Sequence, residues 1–174
     1  MTCFIIAALS ADGYIARDSS APSTAWTGKA DKKRFVTITK QAGVVIMGLN
    51  TWKTFGKPLK DRLTIVYSPE PIVNLPAGVE ITTKSPTDLL AELEGRGFKE
   101  VAICGGSIIY TMFMKSGLVN KLYLTIEPVI FGDGIRLFKE NLHFQLNLVS
   151  DNKDENGTLL LEYKVDYSGT PEIN

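Results

Sequence analysis

The chain has almost nothing with which to hold a transition metal or build a hydrolytic triad. Its 174 residues include one histidine, His143, and two cysteines, Cys3 and Cys104. A structural zinc site takes about four closely spaced ligands of these kinds, so no metal is expected. His143 stands alone in a polar late segment, which leaves no Ser-His-Asp set to argue. An excess of one charge is missing too: Lys plus Arg and Asp plus Glu balance at 19 each. That removes the global field that would favour nucleic acid or an acidic membrane surface. No apolar run approaches the ~20 residues that cross a bilayer, and residues 3–9 form a strand-like run with no basic leader before it. A cytoplasmic protein with two buried, reduced thiols and a small-molecule partner is expected, with no nucleic acid and no membrane.

What is present is regular alternation. Strand-like apolar runs fall at 3–9, 44–48, 63–67, 79–82, 101–104 and 121–128, each bounded by Gly, Pro, Asn or Asp. Helix-like stretches lie between them at about 30–42, 50–55, 86–95 and 106–116. The pattern predicts an α/β fold with a central, mostly parallel sheet and flanking helices. After residue 120 it changes to strands, with 145–149 and 159–165 joined through Asn156-Gly157 as an antiparallel hairpin. One domain over 1–166 is expected, with a polar frayed tail at 167–174. Residues 10–28 contain no periodic segment, which marks a long functional or mobile loop.

Asp31 is out of place. Asp31, Phe35, Ile38 and Ala42 share one face of the first predicted helix, while Lys29, Lys32, Lys33, Arg34 and Lys40 take the others. A carboxylate heading an apolar stripe has two readings: a half-solvated acid favoured by the helix dipole, or a buried acid compensated by a hydrogen-bond-donating or cationic ligand. Gly105-Gly106, where a buried strand turns into a helix, reads either as a tight turn or as a cradle whose backbone N–H groups approach a phosphate. Gly48-Leu49-Asn50-Thr51 is a second turn of that kind, and two such turns can grip both ends of a dinucleotide. Ser68 and Lys84, each just past a strand, read as surface residues or as contacts to an adenosine phosphate. Arg62 either clamps a substrate carboxylate or pairs with Asp61.

Taken in order, these pieces resemble the dihydrofolate reductase family, from Ile6 to about Val165. The signatures are Ile6-Ala7-Ala8-Leu9 with Asp12-Gly13-Tyr14-Ile15, the spacing of Trp26, Asp31 and Phe35, Met47-Gly48-x-x-Thr51-Trp52, Gly56-Lys57-Pro58-Leu59 with Arg62, Ile103-x-Gly105-Gly106-Ser107-x-x-Tyr110, and Tyr123-Leu124-Thr125. The resemblance implies reduction of 7,8-dihydrofolate to 5,6,7,8-tetrahydrofolate with NADPH, by a monomer or homodimer. It implies that Asp31 binds the pterin's amino-pyrimidine edge and assists protonation, that Trp26 orders a water, and that Thr125 supports the network. Ile6, Phe35, Phe55, Leu59 and Ile103 would wall the substrate and Arg62 would hold its carboxylate tail. Ala8, Ile15, Gly48, Asn50, Thr51, Ser68, Lys84, Gly105, Gly106, Ser107, Ile108 and Tyr110 would contact the cofactor, under a lid formed by 10–28. Leu49 departs from the Arg common at that position, and Lys32 from an apolar pocket residue. Residues 127–138 look as much like the riboflavin-pathway reductase, which shares the fold. A nucleotide-binding module without catalysis is the third reading.

Overall fold

Short apolar runs become the buried strands here, and residues with helical stripes become the helices that cover them. The computed structural model describes residues 1–18 and 25–168. The middle of the 10–28 loop and most of the expected tail therefore lie outside the described residues. In chain order the elements are β1 (Thr2–Ser10), β2 (Tyr14–Ala16), α1 (Lys29–Ala42), β3 (Val44–Gly48), α2 (Leu49–Phe55), β4 (Leu63–Tyr67), β5 (Val79–Thr82), α3 (Pro86–Gly95), β6 (Glu100–Ile103), α4 (Ser107–Lys115), β7 (Lys121–Glu127), β8 (Ile135–Arg136), β9 (Gln145–Lys153) and β10 (Leu159–Asp166).

Eight strands form one sheet in the order β5-β4-β3-β6-β1-β7-β10-β9. Neighbours from β5 to β7 pair in parallel, and β10 runs antiparallel to both β7 and β9. The mostly parallel sheet with a C-terminal antiparallel pair is as the pattern predicted. Strand alternation divides the core into two layers. Cys3, Ile5, Val44, Ile46, Val101 and Ile103 face Leu89 and Leu93 of α3 and Phe113 of α4. Phe4, Ile6, Val45, Met47, Ala102 and Cys104 face the other way, onto Phe35, Ile38 and Ala42 of α1 and Trp52 of α2.

Helix ends follow local chemistry. α1 stops at Gly43, whose φ of 74° is left-handed and whose N–H returns to Thr39 O at 3.1 Å. α3 begins on Ser85, whose hydroxyl accepts the Asp88 N–H at 3.1 Å, with Pro86 in the first turn. Among the described residues no helix is long and apolar enough to cross a membrane.

Three local expectations change. The 10–28 loop contains β2, which pairs antiparallel with β8. The late strand expected at 145–149 runs on through Lys153. Its outer residues are polar and exposed, so pairing with β10 alone makes it a strand, and burial leaves no mark on its sequence. Arg34, placed on the solvent face of α1, is partly buried: its Nη1 donates to Leu124 O at 3.0 Å and its Nη2 to Leu161 O at 2.7 Å. Its guanidinium also lies over the Tyr123 ring, 5.2 Å from the centroid.

Candidate functional site

The sheet order reverses direction between β1 and β3, with β6 between them, and a cleft of about 970 Å³ opens along the carboxyl ends of the parallel strands. Crevices of open α/β sheets sit at such switch points. Ile6 and Ala8 of β1, Gly48 of β3, Tyr67 at the end of β4 and Ser68 after it, Thr82 of β5 and Cys104 after β6 all reach it.

Asp31 lines one end of the cleft from the first turn of α1, beside Phe35, and Phe55 of α2 stacks on Phe35 with ring centroids 6.0 Å apart. Burial pushes the Asp31 carboxyl above the usual carboxylate range. The hydroxyls of Thr125 and Thr27 and the charge of Arg34 oppose that rise, and the charge of Glu127 adds to it. The two hydroxyls face the carboxylate without completing a well-aligned hydrogen bond. Thr125 Oγ1, Thr27 Oγ1 and Trp26 Nε1 are all buried polar atoms with no partner. Two unmet hydroxyls beside a partly buried acid are costly unless water or a ligand completes them. Trp26 itself packs edge-on against Phe131, 5.0 Å between centroids.

The middle of the cleft is built from glycine. Gly48 N–H donates to Gly105 O at 2.7 Å, which draws the start of α2 to the turn before α4. A Cβ on Gly48 would come within 3.1 Å of Ile109 Cγ1, and one on Gly106 within 3.3 Å of Thr51 Oγ1. Gly105, at a φ of 110°, takes a conformation that other residues rarely adopt, and a Cβ there would meet Tyr110 Oη at 3.2 Å. Bare backbone at the start of α4, with Ser107 and Ile108 beside it, suits the close approach of a phosphate. Asn50 and Ile15 complete this stretch of the wall.

At the far end, Ser68 and Lys84 already have partners, while the buried hydroxyl of Tyr67 just before Ser68 has none. Ser68 Oγ donates to Glu70 O at 2.7 Å, and the Lys84 ammonium pairs with Glu92 of α3. Tyr110 also lines the cleft, yet its hydroxyl is spent on Ile6 O at 2.8 Å, and burial pushes its pKa well up. Among the described residues Lys84 and Lys139 are the cations of the cleft wall.

Five expected site residues stand outside that wall. Thr125 is next to Asp31 behind the surface, and Trp26 packs on Phe131. Ile103 does not wall the cleft at all: it is fully buried on the α3 and α4 side, because strand alternation turns it away and turns Cys104 in. Leu59 packs with the α1 and α2 layer. Arg62 spends its Nε on Lys60 O at 3.0 Å and its Nη1 on Thr39 Oγ1 at 2.8 Å. It is not held by Asp61, which binds Lys40 instead. Sequence reasoning missed Cys104, Thr27, Lys139 and Glu127. For Glu127 a signal existed, since two residues after Thr125 on a strand means the same face.

The dihydrofolate reductase family model matches residues 2–158. The bifunctional dihydrofolate reductase-thymidylate synthase of Plasmodium berghei (strain Anka) is 32% identical over 143 residues, 75% of this chain and 24% of that protein. The dihydrofolate reductase of Gallus gallus is 34% identical over 95 residues, 51% of this chain and 50% of that one. The chain thus spans half or less of the length of these two relatives. The solved structure of a putative riboflavin biosynthesis protein from Shewanella sp. PV-4 superposes with a TM-score of 0.76 at 23% identity, covering 95% of this chain and 99% of that one. That likeness is one of fold, and together with the family match over nearly the whole sequence it leads to one conclusion: the chain belongs to the dihydrofolate reductase family.

Proposed function

We propose that the chain reduces 7,8-dihydrofolate to 5,6,7,8-tetrahydrofolate, with NADPH as the reductant. The observation that carries this reading is Asp31: a partly buried carboxyl with a raised pKa, faced by the hydroxyls of Thr27 and Thr125, which find no well-aligned partner. A planar heterocycle with adjacent N–H donors matches a carboxylate in two parallel hydrogen bonds. Ile6, Phe35 and Phe55 give it apolar walls. The raised pKa favours the protonated form of Asp31, which would assist delivery of a proton to the substrate's ring nitrogen. Trp26 Nε1 and Thr125 Oγ1, both buried and unpartnered, would hold a water in that path.

When bound, NADPH supplies the hydride. The side-chain-free turn at Gly105 and Gly106 fits its pyrophosphate, with Thr51 and Ser107 beside it. Lys84 and Ser68 would meet the adenosine phosphate, Lys84 by exchanging Glu92 for it. Ala8 and Ile15 would bound the nicotinamide, which excludes water from the transfer.

A second reading is favoured by residues 127–138 and by the riboflavin-related solved structure: reduction of a ribosylaminopyrimidine phosphate. Such a substrate calls for cations near Asp31, and the cleft wall's two lysines include one already paired. The test is loss of NADPH absorbance with dihydrofolate, set against the deaminated ribosylaminopyrimidine phosphate. Turnover of dihydrofolate is expected, and turnover of the other compound alone overturns the proposal. Binding of NADPH without turnover of either would leave a nucleotide-binding module.

A further inference from the structure

Behind Asp31 lies a second acid that the proposed reaction does not use. Glu127 ends β7 and is only 4% exposed. Both of its oxygens act as acceptors. Oε1 takes the Gly28 N–H at 2.7 Å and Oε2 the Thr158 hydroxyl at 2.8 Å. Gly28 is the N-cap of α1, and it has no side chain to cap the helix. A carboxylate supplied from β7 therefore fixes the point where the helix starts, three residues before Asp31. The same strand face carries Thr125, two residues earlier, next to Asp31.

We propose that Glu127 is a positioning residue for Asp31: it pins the first turn of α1 so that the Asp31 carboxyl faces the cleft, and it sets a second negative charge behind that carboxyl. The proposal rests on the reading of Asp31 as the acid of the reductase. Burying a carboxylate is costly unless it is fully hydrogen-bonded, and a neutral cap would secure Gly28 at less expense. A charge at this place has a use that a cap alone does not. The groups that face Asp31 are Glu127 from β7, Arg34 from its own helix and Tyr110 from α4, besides the hydroxyls of Thr27 and Thr125. Arg34 is tied to two strand carbonyls and pulls toward the ionised form. Glu127 is the opposing charge, and it favours the proton that Asp31 must hold.

The experiment compares Glu127→Gln, which keeps an acceptor for Gly28 and loses the charge, with Glu127→Leu, which loses both. The Asp31 carboxyl is followed in the full chain by 13C NMR from pH 3 to 9, its resonance assigned with Asp31→Asn. In Glu127→Gln the Asp31 titration moves to lower pH, kcat for dihydrofolate falls about tenfold at neutral pH, and KM stays within about twofold. In Glu127→Leu, KM rises as well, because the helix start is released. An unchanged Asp31 titration and pH–rate profile in Glu127→Gln, with only melting affected, overturns the proposal even if Glu127→Leu fails to fold. The NMR readout needs no substrate. A shifted titration in a chain that does not reduce dihydrofolate upholds the role of Glu127 and rejects the substrate.

Discussion

The two ends of the cleft treat their polar groups in opposite ways. Around Asp31, Thr27 Oγ1 and Thr125 Oγ1 are buried and find no well-aligned partner. Around the start of α3, Ser68 is bound to Glu70 and Lys84 to Glu92. The first end is organised for something that is not protein, and stays costly until that arrives. At the second, Ser68 and Lys84 are engaged, and a phosphate that reaches them must displace a partner before it gains one. Discrimination is therefore expected to be strong at the Asp31 end and mild at the Lys84 end.

The largest effect is expected from Asp31→Asn. Hydride transfer at neutral pH should fall by about 10²–10⁴-fold, as when an acid in the reaction path is removed; stopped-flow NADPH oxidation measures it. Stability should respond with the opposite sign. The folded chain holds the Asp31 proton more tightly than the unfolded chain, whose carboxyl titrates near 3.8. The stabilisation from the neutral form is complete below that value and is lost as pH rises through the folded value. Asparagine has no proton to lose, so melting curves should favour the variant increasingly as pH rises. Retained activity with lowered stability would make Asp31 a helix-capping acid and erase the contrast between the two ends.

Next comes Gly106→Ala, whose methyl meets Thr51 Oγ1 and narrows the turn. The dissociation constant for NADPH, read by fluorescence titration, should rise by about tenfold, roughly the 1.4 kcal/mol expected of a neighbour forced to give way. Trp26→Phe keeps the ring against Phe131 and removes the unpartnered N–H. It should lower kcat about fivefold with melting within about 2 °C, since a water-mediated contact is lost. The smallest effect belongs to Lys84→Ala. KM for NADPH should rise about threefold more than KM for NADH, and stability should change by less than about 0.5 kcal/mol, because the pair with Glu92 is largely exposed. A large preference lost there would mean that the Lys84 end discriminates as strongly as the Asp31 end.

Much of this contrast was legible in the linear pattern. Alternating runs place the parallel strands because each is buried on both faces, and the stripe of Phe35, Ile38 and Ala42 lies on the sheet as its spacing requires. What stayed hidden depends on long-range partners. Arg34 is off the apolar stripe of α1, and nothing nearby says that Leu124 and Leu161 will offer it carbonyls. Ile103 was expected in the cleft through its place in a motif, whereas strand parity sends its neighbour Cys104 there instead. Ser68, Lys84 and Tyr110 were found where expected, but their internal bonds to Glu70, Glu92 and Ile6 leave no local trace.

Phe131 and Gly132 gather more of the molecule than their place after β7 suggests. Asp12 accepts the amides of both, at 3.1 and 2.7 Å, Arg17 lies 4.4 Å over the Phe131 ring, and Trp26 meets that ring from the other side of the loop. The segment that begins after β1 and ends before α1 thus has both of its feet on one stone. A change at Phe131 would therefore reach Arg17 in its first half and Trp26 near its end at once, with Asp31 only five residues further on.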